Sequence, residues 1–244
     1  MEYMKRKIII PIVAVAALVL LICVTLVLLY TGVLHINNPS KEKYPIRGVD
    51  VSHYQGEVDW NRLQQENIQF AYIKATEGST HKDEQFDKNW NDAQGTDLRI
   101  GAYHFFSLDS PGADQAENFC STVTSVDKML PPVVDVEPYG NYKDPALLDQ
   151  EKMIAELDVY LKSVESFYGL KPIIYTTEEW WPVLQEEFKD YDLWIRDVYR
   201  KPDSKMEWTF WQYSNRHVLS GYSGNERYID MNVFCGSEEE FNAY

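Results

Sequence analysis

From Ile46 onward the chain alternates between strand-like and helix-like segments, and this alternation limits its possible folds more than any other feature. Eight segments rich in β-branched and aromatic residues have the composition of strands: 46–54, 70–78, 99–106, 131–137, 171–177, 191–198, 207–214 and 226–234. Alternation of this kind predicts a parallel sheet covered by helices. Eight such strands in about 200 residues favour a closed barrel at the small end of that architecture, and a doubly wound open sheet is the alternative.

Helix patterns separate the first five or six strands and weaken in the last third of the chain. We predict helices over 59–67 with Asp59 as N-cap, over 87–96 and over 112–126. The clearest helix is predicted over 145–169, where Gly169 ends an apolar stripe formed by Leu147, Leu148, Ile154, Leu157, Leu161 and Val164. No glycine-rich phosphate loop follows the first strand, so the sequence gives no support for nucleotide binding.

The N-terminus predicts a membrane anchor. Residues 1–7 contain Lys5, Arg6 and Lys7, and residues 8–30 then run for 23 positions without a charge. As a helix this run would be about 35 Å long, enough for a hydrocarbon core of about 30 Å. The basic end should stay in the cytoplasm. A cleaved signal peptide is the competing interpretation, although its apolar core is usually only about 7–15 residues.

The remaining organisation follows from that anchor. Residues 31–44 are polar and turn-rich and predict a short linker, and residues 45–244 form one outer domain. The whole chain has a net charge of −15. The first 40 residues hold three basic residues and one acidic residue, a net charge of +2, so the other 204 residues have a net charge of −17. A domain this acidic should not bind nucleic acid through a basic surface. It should also be repelled by anionic membrane surfaces.

Cysteine and histidine spacing gives no metal motif, so neither a metal nor another cofactor is expected. The chain has three cysteines, and the sequence leaves open whether Cys120 and Cys235 pair. The five histidines are scattered, and no C-x-x-C or H-E-x-x-H spacing occurs.

The segment "PPVVDVEPYG" (131–140) places two acids in an otherwise buried strand. Asp135 and Glu137 are two residues apart, so their side chains should point to the same side of the sheet. Their Cα atoms should be roughly 6.5–7 Å apart. Two buried acids on one face are costly unless they have a function.

Other polar and aromatic residues fall near the same end of the predicted strands, where barrels of this type place their chemistry. They are Asp50, Asp230, Tyr103, Tyr175 and Trp211. Clustered acids raise one another's pKa, and a protonated acid can then donate its proton. A sugar-cleaving cleft needs aromatic rings that stack on sugars and acids that flank the glycosidic bond. Glu77 is expected to pair with Lys74, and His53 and His104 to hydrogen-bond inside the rim.

Six segments in order resemble glycoside hydrolase family 25, the Ch-type lysozymes: "GVDVSHYQGEVDW", "FAYIKATEG", "IGAYHFF", "PPVVDVE", "FWQYS" and "IDMNVF". The resemblance spans about 46–234. It implies an irregular (β/α) barrel of eight strands with few helices in the last third. It also implies an N-acetylmuramidase that cleaves the β-1,4 bond between N-acetylmuramic acid and N-acetylglucosamine in peptidoglycan. The expected partners are these glycan strands and, through the N-terminal helix, the cell membrane.

Carried over by motif, Glu137 resembles the general acid and Asp135 its partner carboxylate. Asp50 matches a further catalytic acid. The expected substrate contacts are Asp230, Tyr103, Tyr175 and Trp211. Two acids on one side of the sugar favour a substrate-assisted reaction in which the 2-acetamido group attacks the anomeric carbon with retention. Direct displacement through Asp50 or Asp230 stays open, as does a non-catalytic wall-binding role for the same cleft.

Overall fold

A computed structural model describes residues 2–244, with side chains from Ile10 onward. The strands are β1 Arg47–Val51, β2 Phe70–Glu77, β3 His81–Lys82, β4 Arg99–Phe105, β5 Val133–Val136, β6 Ile173–Thr177, β7 Asp192–Arg196, β8 Phe210–His217 and β9 Ile229–Phe234. The helices are α1 Glu2–Tyr30, α2 Trp60–Gln64, α3 Phe86–Ala93, α4 Gly112–Thr122, α5 Gln150–Tyr168, α6 Trp181–Phe188 and α7 Glu238–Ala243.

Eight strands close into a barrel in the order β1-β9-β8-β7-β6-β5-β4-β2, and pairing of β1 with β2 completes the ring. β3 is a two-residue extension on β2 and lies outside the ring. The eight predicted strands and the irregular (β/α) barrel are therefore confirmed.

The predicted parallel sheet contains one antiparallel strand. β9 runs antiparallel to both β8 and β1, whereas the other ring pairs are parallel. A parallel partner for β8 would need a crossover connection of a dozen or more residues, usually through a helix. Residues 218–228 between β8 and β9 form no helix, so the chain returns directly. The start of β9 therefore lies at the rim where the other strands end.

Aromatic side chains fill one end of the barrel. Phe70, Tyr72 and Phe210 pack together inside it, and Phe241 of α7 covers Phe70 with ring centroids 5.6 Å apart. Gly101 is required there, because a Cβ at this position would lie 2.2 Å from the Tyr72 ring. This packing closes the N-terminal end of the barrel, so its open end is the C-terminal rim.

The longest helix of the barrel domain begins later than its predicted start at residue 145. Pro145–Leu147 forms a separate 3-10 turn in which Leu147 is 84% exposed, so Leu147 is not part of the buried stripe. α5 starts after Asp149, whose side chain accepts the backbone N–H of Lys152. The helix ends at Gly169 with φ 66°, as predicted.

α1 is the one helix among the described residues that is long and apolar enough to span a membrane. The candidate span is Ile10–Tyr30, with a mean hydropathy of 3.3 and no part buried in the protein. A signal sequence would meet the same criterion. The predicted cytoplasmic segment 1–7 lies mostly outside the part of the chain that the structure describes. Met1 and the side chains of residues 2–9 are not included in that part.

Candidate active site

A cleft of about 740 Å³ opens at the C-terminal rim of the barrel. The predicted site residues that line it are Asp50, Tyr103, Asp135, Glu137, Tyr175 and Asp230. They come from β1, β4, β5, β6 and β9, and Glu137 directly follows β5. The fold thus brings together six of the seven residues that the sequence nominated.

The Asp135–Glu137 pair lies on one wall of the cleft. Burial raises the pKa of Asp135 well above its usual range, and the neighbouring Glu137 carboxylate raises it further. Burial also raises the pKa of Glu137. Asp135 Oδ1 is buried and has no hydrogen-bond partner among the described residues. Asp135 as a residue lines the cleft, so its carboxyl group lies next to any molecule bound there.

The second acid pair is Asp50 and Asp230, which face each other across the antiparallel strands β1 and β9. Asp50 Oδ2 accepts hydrogen bonds from the amides of Asn232 at 2.7 Å and Gln212 at 3.0 Å. Burial raises the pKa of Asp50, which these amide bonds partly offset. Burial and the Asp50 charge raise the pKa of Asp230 well above its usual range, so the pair favours holding one proton.

The two acid pairs lie on opposite walls. β9 is four strands from β5 in either direction around the ring, and β1 is its neighbour. A sugar held between the walls would therefore have Asp135 and Glu137 on one side and Asp50 and Asp230 on the other.

Two cations adjust the charge of the cleft. The Arg196 guanidinium, at the end of β7, lowers the pKa of Glu137 and so opposes part of the effect of burial. Lys74 lowers the pKa of Asp135 in the same way. Lys74 Nζ also pairs with Glu77 at 2.7 Å, which confirms the predicted ion pair.

Trp211 is the predicted substrate contact that the structure places elsewhere. Its side chain points out of the barrel, where it packs against Tyr44 and Trp208 and donates its indole N–H to the carbonyl of Asp197 at 2.8 Å. Strand side chains alternate, so the neighbouring Gln212 faces the cleft instead. The indole that does line the cleft is Trp194, which donates to Asn232 Oδ1 at 3.0 Å.

The cleft residues outside the predicted contacts include Trp194, Arg196 and Gln212, and Asn232 binds one of the predicted acids. Gln212 and Asn232 hold Asp50, and Tyr175 donates its hydroxyl to Gln212 Oε1 at 3.1 Å. The strict alternation within "FWQYS" could have identified Gln212, since Trp211 and Gln212 cannot face the same side.

The predicted hydrogen-bonding histidines are both bonded, but not at the same place. His104 is fully buried on the outer side of β4, between Thr76 Oγ1 at 2.7 Å and Gln115 Oε1 at 3.0 Å. His53 Nδ1 lies 2.8 Å from Asp83 Oδ2 near the rim. A group of side chains that could hold a metal ion lies here, since the ligand atoms of His53, Asp83 and Glu84 are within 4.8 Å of one another. The buried Asp83 carboxylate already accepts a hydrogen bond from His53.

The cysteine question can also be answered for this structure. Cys120 on α4 and Cys235 after β9 are free thiols. Burial raises the pKa of the Cys120 thiol to about 11, so it is a weak nucleophile at neutral pH.

An eight-stranded barrel with an acid-lined cleft at its C-terminal rim belongs to the class of sugar-cleaving barrels by fold and by site. The family model of Glycosyl hydrolases family 25 matches residues 49–222. The chain belongs to this family, and it is a glycoside hydrolase by that membership.

Several proteins are similar to the chain over most of its length. The chain is 47% identical to a family 25 glycosyl hydrolase from Bacillus anthracis of solved structure, with a TM-score of 0.80 over 86% of this chain and 97% of that one. It is 37% identical over 209 residues to the protein YegX of Escherichia coli K12, covering 82% of this chain and 74% of YegX. It is 30% identical over 208 residues to Lysozyme M1 of Streptomyces globisporus, covering 79% and 68%.

Proposed function

We propose that the chain is a membrane-anchored muramidase that hydrolyses the β-1,4 bond between N-acetylmuramic acid and N-acetylglucosamine in peptidoglycan. The main support for this proposal is the cleft itself. Two carboxyl pairs with raised pKa values face each other across a space of about 740 Å³. Lysozyme M1 of Streptomyces globisporus, a relative at 30% identity, supports the substrate class.

Glu137 is the proposed general acid. Burial raises its pKa, so that a larger fraction stays protonated near neutral pH and can protonate the leaving oxygen. After the bond breaks, the same carboxylate can take a proton from the attacking water. Tyr103 and Tyr175 are proposed to contact the sugars beside it.

Asp135 is the proposed partner of the substrate's 2-acetamido group. Asp135 lines the cleft, and its carboxyl is proposed to accept a hydrogen bond from the acetamido N–H. Orienting that group lets its carbonyl oxygen attack the anomeric carbon, and the Asp135 carboxylate then stabilises the positive oxazolinium. The new bond joins the carbonyl oxygen to the anomeric carbon as the glycosidic oxygen leaves with the proton from Glu137.

Asp50 is the proposed third catalytic carboxyl, and Asp230 is its partner on the same wall, opposite Asp135 and Glu137. Asp50 Oδ2 already accepts two amide hydrogen bonds. Such bonds stabilise the carboxylate and reduce its nucleophilicity. This arrangement supports electrostatic stabilisation over the direct displacement that the sequence left open.

The test is turnover on purified peptidoglycan with the new reducing ends identified. We expect muramic acid reducing ends from the full-length protein, and a loss of about 10²–10⁴-fold for Glu137→Gln because the transferable proton is gone. Glu187→Gln, at an exposed position on α6, is the matched control and should keep full activity.

Near-normal turnover in Glu137→Gln would remove the acid role from Glu137. Glycan binding without any turnover in the unaltered protein would instead support the non-catalytic wall-binding role.

The anchor is part of the same proposal. Residues 1–7 stay in the cytoplasm, 8–30 cross the membrane, 31–44 connect, and 45–244 act on the outer side. The span Ile10–Tyr30 supports this by its length and hydropathy. A wall-cleaving enzyme has its substrate on that side of the membrane.

A further inference from the structure

The end of the α1 helix is bound directly to the rim of the catalytic cleft. The backbone carbonyl of Tyr30 accepts hydrogen bonds from Tyr228 Oη at 2.6 Å and from Arg216 Nη1 at 3.1 Å. The Arg216 guanidinium also lies 5.5 Å from the ring centroids of both Tyr30 and Tyr228. Arg216 is in β8 and Tyr228 immediately precedes β9, so both belong to the rim.

The linker of residues 31–44 is held along the barrel wall rather than extending freely from it. The His35 ring stacks on His217 with centroids 3.6 Å apart. The Asn37 side chain donates to the carbonyls of Asp197 at 3.2 Å and Arg200 at 3.1 Å. Further along, the Pro39 carbonyl accepts from Arg47, and the side chain of Tyr44 is buried. Contacts along its length fix the linker to the domain. The distance between the end of α1 and the cleft is therefore short and fixed.

The residues around this junction suit a membrane interface. Tyr30 is itself one wall of the cleft mouth, together with Tyr54, Arg216, Glu226 and Tyr228. The exposed apolar side chains beside it are Val33, Leu34, Ile36 and Val218. Tyrosine rings are enriched at headgroup level, and arginine can extend its charge there from an apolar stem.

Bilayer dimensions then determine where the cleft lies. The polar headgroup region adds roughly 5–8 Å on each side of the hydrocarbon core. Tyr30 is the last residue of the candidate span, and Arg216 and Tyr228 are within hydrogen-bond distance of it. Both rim residues therefore fall within the headgroup layer whenever the span is inserted.

We infer that the mouth of the cleft is held at the membrane surface, and that the enzyme acts on glycan lying against the membrane rather than on wall glycan farther out. This rests on the proposed muramidase activity and anchor. The substrate class is a muramyl glycan strand whose position is fixed next to the bilayer, such as a strand attached to lipid.

The position of the cleft can be measured without any catalysis. Full-length protein carrying Cys23→Ala, Cys120→Ser and Cys235→Ser is placed in phosphatidylcholine–phosphatidylglycerol vesicles containing a Ni²⁺-chelating lipid. A nitroxide is attached through Glu226→Cys at the cleft mouth. The matched control is Asp127→Cys, exposed in the α4–β5 connection at the opposite end of the barrel.

We expect strong paramagnetic relaxation at position 226 and weak relaxation at position 127. An insertion of 20 Gly/Ser residues between Tyr30 and Thr31 should reduce the effect at 226, because the rim is then no longer tied to the span. Equal relaxation at the two positions, or no change on insertion, would overturn the inference.

The second measurement compares one muramyl oligosaccharide in two forms, anchored in the vesicle by a lipid or free in solution. Holding enzyme and substrate on one surface raises their effective concentration, so we expect the lipid-anchored form to be cleaved about tenfold faster or more. The insertion variant stays on the same surface but its cleft is no longer tied to it, so its preference should be smaller, while its rate on the free form in detergent is kept. Equal rates on both forms with the unaltered chain would overturn the substrate class.

No turnover on either form would refute the proposed muramidase activity, and the relaxation result would still decide where the cleft lies.

Discussion

At the scale of single residues, the cleft combines carboxyls that burial keeps from all being ionised at once. Asp135 has Glu137 beside it, and Asp230 has Asp50, so each pair adds like-charge repulsion to the cost of burial. Nearby hydrogen-bond donors and cations, chiefly Arg196, stabilise the carboxylates that are ionised. Raised pKa values in one part of the cleft and amide donors to a carboxylate in another are what acid and charge-stabilising roles require.

Arg196→Gln should move the alkaline limb of activity upward. Arg196 favours the ionised form of Glu137 and lowers its pKa, so removing the cation raises that pKa. The proton-donating form then persists to higher pH. The measurement is kcat/KM against pH on a soluble glycan, with Arg62→Gln on α2 as the exposed control. An alkaline limb that stays in place or moves down would contradict the proximity effect.

Asp135→Asn should weaken binding of a thiazoline analogue of the oxazolinium. The analogue mimics a high-energy state with positive character, and the substitution removes the charge beside it. We expect tight binding of the analogue to the unaltered protein, and a loss of about 10²-fold or more in both binding and turnover for Asp135→Asn. Asp127→Asn, at an exposed site away from the cleft, should change neither.

The same path predicts retention, so the new reducing end should first be the β-anomer by NMR. An initial α-anomer, or a sugar ester trapped on Asp50 or Asp230, would refute substrate assistance and leave the hydrolase assignment intact.

At the scale of elements, the local sequence pattern predicted the features that lie within one strand. It did not predict the features that depend on how two strands pair. Asp135 and Glu137 could be placed together because period-two alternation within one strand is a local property. The pairing of Asp50 with Asp230 depends on β9 running antiparallel, which brings the beginning of that strand to the rim. The direction of β9 follows from the absence of a crossover helix, a property of the chain between strands.

Trp211 shows the same limit from the other side. Its aromatic character fits a sugar-binding cleft and a core equally well, and only its side of the strand separates the two. That side is set by the register of β8 against β7 and β9, where Gln212 is paired with Arg196 and Asn232. Register between strands distant in sequence is decided by packing of the whole sheet.

The contact between His35 and His217 should make the linker sensitive to acid. Burial lowers the pKa of His217 to about 4, and the nearby His35 and Arg47 lower it as well. Burial also lowers the pKa of His35. The unfolded chain therefore binds more protons than the folded one between pH 6.5 and about 4, so the stability from neutral His217 is lost as pH falls through that window.

We expect proteolysis within residues 31–44 to increase from pH 7 to pH 4.5, and His35→Phe to reduce that increase. The phenyl ring keeps a flat apolar partner for His217 and removes one of the two titrating rings. The measurement is the cleavage rate of the full chain in vesicles with an acid-tolerant protease, normalised to an unstructured peptide. A pH dependence identical in the two proteins would show that the stacked pair does not control the linker.

At the scale of the whole molecule, the proposed anchor holds an acidic domain against a membrane through a short docked linker. The residues after the first 40 carry a net charge of −17, which an anionic surface repels. Arg216 at the cleft mouth and Arg227, which precedes Tyr228 in sequence, counter this locally, and each lies over the ring of Tyr228. Electrostatics alone would keep the domain off the membrane, so the proposed position depends on the anchor and on the bonds to Tyr30.

The anchor prediction decides whether this arrangement exists in cells. The candidate span Ile10–Tyr30 has 21 residues and would be about 31 Å long as a helix, close to the hydrocarbon core of about 30 Å. Full-length protein should stay with membranes after a high-salt wash. External protease should reach residues beyond Tyr44 once the wall is removed, because Lys5, Arg6 and Lys7 keep the N-terminus inside.

Leu20→Arg provides the matched test of that span. A charge at the centre of a spanning helix costs about 2.5–3.5 kcal/mol of insertion free energy, so the membrane-bound fraction should fall. Leu147→Arg, at an exposed site outside the span, adds the same charge and should leave the fraction unchanged. A mature protein that begins after Tyr30 and accumulates in the medium would identify residues 8–30 as a signal peptide. The bonds from Arg216 and Tyr228 to Tyr30 would then have no role in the mature enzyme.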